Sequence, residues 1–157
     1  GVTPLRDYRQ IVHIFGQAGN ADSLALIDYI KNSTTRDDSV LVLGAETTVN
    51  FYAQRRSPTR FVYQFPLYKP GYATLQITEE FFEDIVRNEP DLIIDPEGDG
   101  VLSGALEFRS PNAQELQLSD TLVCTSPHIE ELISVIQSRY AARQAFGPWV
   151  VYARVDE

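Results

Sequence analysis

Three arginines crowd into six residues of this chain, Arg55-Arg56-Ser57-Pro58-Thr59-Arg60, although acids prevail overall. Asp and Glu number 22 against 13 Lys and Arg, a formal net charge of -9. A guanidinium presents a flat fork of donors that matches phosphate or carboxylate oxygens two at a time. Tyr52, Phe61, Tyr63 and Tyr68 lie close by. Such rings stack on sugars or settle at a membrane interface. Arg55, Arg56, Arg60 and Tyr63 are therefore the residues expected to face a ligand, a lipid phosphate or a membrane. The plainer reading of the same arginines is salt bridging to acidic neighbours, which at a surface contributes little.

Gly44-Ala45-Glu46-Thr47-Thr48 follows an apolar run, the place where ligands of parallel α/β sheets bind. Gly44 and Glu46 are accordingly a candidate pocket loop. One glycine stands where a dinucleotide fingerprint needs three, and no lysine follows as in a P-loop. Glu46 would repel phosphate. Asp95, Glu97 and Asp99 fall at the first, third and fifth places of a calcium loop, with Gly100 at the sixth. Leu106 then occupies the twelfth place, which needs a bidentate Glu, so a solvated acidic turn fits better. His13 and His128 are the two imidazoles, and Cys124 is the single cysteine. His128 follows Cys124 by four residues, a spacing with no catalytic meaning, and no Gly-x-Ser-x-Gly elbow exists. Asp91, Asp95, Glu79, Glu80 and Glu83 read as solvated charge around a strand and a helix. No catalytic residue, no metal ligand set and no cofactor site is assigned to this domain.

The elements that would position these residues alternate along the chain. A helix is expected from about Asp22 to Asn32, with Leu24, Ile27 and Ile30 at helical spacing. Val40 to Leu43 is apolar at every position, as in a strand buried on both faces. Thr47 to Ala53 suits a helix, and Arg60 to Phe65 has the β-formers of a second strand. Thr78 looks like the N-cap of a helix that Pro90 ends, and Leu92 to Ile94 follow as a third strand. Asp95 to Asp120 reads as a long surface excursion. Ser126-Pro127 opens a helix reaching Tyr140, and Trp149 to Val155 is a last strand, half-exposed at an edge. The expected fold is α/β: three layers, a mostly parallel short sheet in the order 2-1-3-4 with helices on both faces, Rossmann-like without a dinucleotide fingerprint.

At 157 residues the chain suits one domain, here 21–157, preceded by a lead-in over 1–20. Its acidity disfavours nucleic acid as a partner. One cysteine excludes an internal disulfide. The absence of methionine suggests an excised or processed piece of a longer protein.

The strand and arginine segments also carry a resemblance. Tyr29 to Thr34 precedes Asp37-Asp38-Ser39-Val40-Leu41-Val42-Leu43-Gly44-Ala45. Next come Phe51-Tyr52-Ala53 and the run from Arg55 to Gln64. Glu89-Pro90-Asp91-Leu92-Ile93-Ile94-Asp95, Tyr140 and a closing Val151-Tyr152-Ala153-Arg154 complete the pattern. From about Ala21 to Arg154 the chain resembles the C-terminal soluble domain of bacterial multi-pass membrane glycosyltransferases. These belong to the GT-C group, related to the dolichyl-phosphate-mannose–protein mannosyltransferases. The resemblance implies a parent with many transmembrane helices that transfers a sugar from a polyprenyl-phosphate carrier at the extracytoplasmic face of the cell membrane. Its catalytic carboxylate would lie in an early loop outside this chain. The domain itself would be a non-catalytic accessory, partnered by its own transmembrane region and by the polyprenyl-phosphate-sugar or the acceptor. Whether the parent needs a divalent metal is left open. The alternative is a free-standing small-molecule-binding α/β module, which would use the loops after Gly44 and Asp95; a soluble enzyme ranks third.

Overall fold

The computed structural model describes residues 20–44, 46–96 and 122–155. The lead-in, Ala45, His13 and the acidic excursion from residue 97 onward lie outside these.

Helix α1 (Asn20–Ser33) buries Ser23, Leu26, Ile27 and Ile30, one face of a 3.6-residue period. Strand β1 (Val40–Val42) is buried at every position. The short helices α2 (Thr48–Ala53) and α3 (Phe65–Tyr68) follow. Helix α4 (Leu75–Asn88) buries Thr78, Phe81, Phe82 and Ile85. Its cap is Thr74, whose Oγ1 accepts from the Ile77 N–H at 3.3 Å, and not Thr78 as expected. Thr78 lies one turn inside, fully buried, with its hydroxyl donating to the Thr74 carbonyl at 2.9 Å. Strand β2 (Leu92–Pro96) comes next. Helix α5 (Pro127–Arg139) begins as the sequence suggests, with Ser126 Oγ accepting from the Ile129 N–H at 3.2 Å. Strands β3 (Tyr140–Phe146) and β4 (Trp149–Arg154) form a hairpin.

The four strands lie in the order β1-β2-β4-β3. Only the pairing of β1 with β2 is parallel; β4 pairs antiparallel with both β2 and β3. The expected mostly parallel, Rossmann-like sheet in the order 2-1-3-4 is therefore corrected in three places. Arg60 to Phe65 forms no strand among the described elements. Trp149 to Arg154 is an interior strand rather than an edge. Tyr140 to Phe146 is a strand, although Tyr140 was expected at the end of the helix and the residues after it in no element.

The last two corrections share one cause. Strand β3 runs in the direction of β1 and β2, as a helical crossover from β2 would deliver it, but it leaves one strand width empty. The two-residue loop Gly147-Pro148 turns the chain so that β4 fills that gap. Gly147 has φ +55, the positive value that the first position of a type II′ hairpin demands. Trp149, Val151 and Tyr152 are buried, whereas Ala142, Arg143, Gln144 and Ala145 are exposed. Each large apolar side chain kept from water is worth about 1.5–3 kcal/mol, so the apolar strand takes the middle and the polar one the edge.

Alternation along the strands divides the core in two. Val40, Val42, Leu92, Ile94, Trp149 and Val151 face α1 and α2. Leu41, Leu43, Ile93 and Tyr152 face α4 and α5. Helices thus cover both faces of a mixed sheet, and the α/β layering expected from sequence stands.

Candidate functional site

The arginine segment runs along the outer edge of β1, where the absent strand was expected. It makes a single bridge there, Ser39 to Arg56, in which the Val40 N–H donates to the Arg56 carbonyl at 2.9 Å. Beyond that point side-chain amides replace a backbone ladder. Asn50 Nδ2 donates to the Val40 carbonyl at 2.8 Å. Gln64, fully buried, donates from Nε2 to the Val42 carbonyl at 2.9 Å and accepts at Oε1 from the Gly44 N–H at 2.8 Å. An exposed strand edge invites pairing with another chain; these two amides close this one. Pro58 and the Ser57 and Thr59 hydroxyls, which accept from Thr59 N–H and Phe61 N–H, keep the intervening residues in turns instead of extended pairing.

The candidate arginines separate. Arg55 is buried, 8% exposed. Its Nε donates to Thr34 Oγ1 at 2.7 Å, and its terminal nitrogens donate to the carbonyls of Thr34, Lys31, Ala53 and Gln54 at 2.7 to 3.3 Å. Those carbonyls belong to the last turns of α1 and α2, the negative ends of both helices. The fork is spent inside the protein, so Arg55 does not face a ligand. Arg60 is exposed and clamped in two-pronged fashion by Glu80, at 2.5 and 2.8 Å, while its guanidinium lies 4.2 Å from the centre of the Phe61 ring. The hydrogen bond to Arg60 holds the Glu80 carboxyl below its ordinary range. This is the salt bridge that the plainer sequence reading supposed. Arg56 alone of the three is exposed with no carboxylate paired to it among the described residues.

Tyr63 is 52% exposed and belongs to an aromatic arm. Its ring stacks against Phe65 at 6.0 Å, Tyr68 meets Phe65 edge-on at 5.5 Å, and the Lys69 ammonium lies 5.4 Å from the Phe65 ring centre. Tyr72 and Leu75, just beyond, are 65% and 44% exposed. Phe65, Lys69 and Tyr72 were not singled out from sequence, although the aromatic density of 61–72 signals them. Arg56 and Tyr63 do not converge. Arg56 is fixed opposite Ser39, and Gln64 opposite Gly44, so the length of β1 separates them, about 3.3 Å for each residue.

Gly44 is buried with φ +88, and its N–H and carbonyl are both engaged by Gln64. An occupied N–H cannot also cradle an anion, which weighs against a phosphate loop here. Glu46 is half-buried, and its carbonyl accepts from the Val49 N–H at 3.2 Å. Between α4 and α5, His128 Nε2 meets Glu83 at 3.0 Å and Ser126 Oγ donates to Glu79 at 3.1 Å. The hydrogen bond to Glu83 raises the His128 pKa above its usual value. Cys124 is half-buried. No group of three or more His, Cys, Asp or Glu able to hold a metal ion occurs among the described residues. No helix among them is long and apolar enough to cross a membrane. Comparison with family models, with curated proteins and with solved structures gives no match.

Proposed function

We propose that this chain is the extracytoplasmic accessory domain of a membrane-bound glycosyltransferase that uses a polyprenyl-phosphate-sugar donor, and that it is not catalytic by itself. The resemblance from Ala21 to Arg154 supports this reading. The observation that carries it is the aromatic arm. Tyr63, Phe65, Tyr68 and Tyr72 gather in ten residues, with Lys69 over a ring. Rings with one polar end and one apolar face partition to the headgroup layer or stack on sugars, and a lysine stem can snorkel beside them. In the proposed arrangement this arm lies against the membrane region of the same protein, where carrier lipid and sugar meet.

Flotation with vesicles containing a polyprenyl phosphate tests the reading. The wild-type chain is expected to float with the vesicles, and a Tyr63→Ser, Tyr72→Ser variant of unchanged melting temperature to remain at the bottom. Equal behaviour of the two proteins, or no association of either, would sink it. Independently, the reading frame upstream of Gly1 is expected to encode many apolar segments of roughly 18 or more residues.

A further inference from the structure

At the amino-terminal end of β1, Ser39, Arg56, Ser57, Pro58 and Asn88 line a groove of about 180 Å³. We propose that this groove binds a phosphate group, taken by the Arg56 guanidinium and by the hydroxyls of Ser39 and Ser57.

Charge singles out Arg56. Arg55 is consumed by helix carbonyls and Arg60 by Glu80, which leaves Arg56 as the member of the cluster with an open fork. Two acids near the groove, Asp91 and Glu89, are already paired with arginines. Asp91 accepts from the Ser39 N–H at 3.1 Å and from Arg154 at 3.0 Å, and Glu89 accepts from Arg139 at 2.8 Å. The walls are held in place. The Arg56 carbonyl is tied to Val40, Asn88 Nδ2 donates to the Pro58 carbonyl at 2.6 Å, and Ser57 Oγ accepts from the Thr59 N–H at 3.3 Å. The Ser57 hydroxyl therefore keeps its own hydrogen to donate.

The donor set fits phosphate better than carboxylate. A guanidinium fork occupies two oxygens, and a phosphate monoester has a third for the hydroxyls. The volume equals roughly six waters at about 30 Å³ each, room for a phosphate head and not for a drug-sized ligand. The site is separate from the aromatic arm, so failure of the vesicle experiment leaves it untouched.

The test is amide NMR of the 157-residue chain at low salt, titrated in turn with inorganic phosphate, glycerol phosphate and nanodiscs carrying a polyprenyl phosphate. Saturable shifts at Ser39, Arg56, Ser57 and Asn88 are expected. Arg56→Ala should weaken binding about 10-fold or more, the loss of a charge-assisted bond. Its melting temperature should not change, because the contact to Val40 is main chain. Arg60→Ala should bind like wild type. A response to both soluble phosphates supports the site with a diffusible ligand; a response to nanodiscs alone supports it with a lipid headgroup. Absence of saturable shifts, shifts centred elsewhere, or undiminished binding by Arg56→Ala would overturn the proposal.

Discussion

Arg55 and Arg56 differ by one position and by everything else. Arg55 points inward and joins the ends of two helices; Arg56 points to solvent. A buried guanidinium is tolerable here because carbonyls at the negative ends of α1 and α2 surround it, giving each N–H a partner without a second buried charge. Removing it leaves those carbonyls without their donor. Arg55→Ala is expected to cost about 3 kcal/mol in urea unfolding, and Arg55→Lys to recover only part, since an ammonium cannot reach both helix ends with a planar fork. A loss below about 0.5 kcal/mol in the alanine variant, the range of ordinary surface changes, would contradict this structural assignment. Gln64 is the same lesson in a neutral group: one amide imitates a strand's donor and acceptor and so closes an edge.

The hairpin is the element on which the sheet depends. A Cβ at Gly147 would meet Asp22 Oδ2 and also demand a positive φ from an L residue. Gly147→Ala is expected to destabilise the chain by roughly 1–2 kcal/mol. Shortening Asp22 in the double variant Asp22→Ala, Gly147→Ala should relieve the contact but not the backbone strain, so thermal unfolding should show partial recovery. Full recovery would mean that the φ of Gly147 contributes nothing. The α4–α5 contact carries a pH dependence. Because Glu83 raises the His128 pKa in the folded chain, the protonated pair contributes fully below the ordinary histidine value of 6.5 and its contribution fades as pH rises through the folded value. The urea midpoint of wild type should exceed that of His128→Gln at about pH 5 and converge with it by about pH 8. The gap will be small, as both partners are nearly half exposed. A gap that widens with pH would reverse the assignment.

The whole molecule carries a formal charge of -9, which opposes approach to anionic lipid. Attachment through aromatic rings therefore has a distinctive salt dependence. Salt screens the repulsion and leaves ring insertion intact, so vesicle binding should strengthen between low and physiological ionic strength. A basic patch would show the opposite trend, and weakening with salt would shift the proposed contact from the aromatic arm to the arginines. The three-layer build also places the two candidate surfaces apart. The aromatic arm lies at the carboxyl end of β1, and the Arg56 groove lies at its amino end.

Helices α1, α4 and α5 were legible in the sequence because their apolar residues recur at helical spacing, with Ser126-Pro127 marking the start of α5; β1 and β2 were legible as runs apolar at every position, and α2 and β4 were also expected as elements. Packing decided the interior place of β4 and the fates of Arg60 to Phe65 and Tyr140 to Phe146. Ala141-Ala142-Arg143-Gln144-Ala145 has helical propensity and no alternation, and it is a strand because β4 offers it a ladder. Phe61, Val62 and Tyr63 have strand propensity, and they form no strand because Asn50 and Gln64 already satisfy the β1 edge. The arginine cluster was visible as charge density, but whether each fork met helix ends, a carboxylate or open solvent was set by neighbours distant in the chain. Local periodicity is written in consecutive residues. The partner of an edge, and the partner of a charge, exist only after the chain has closed on itself.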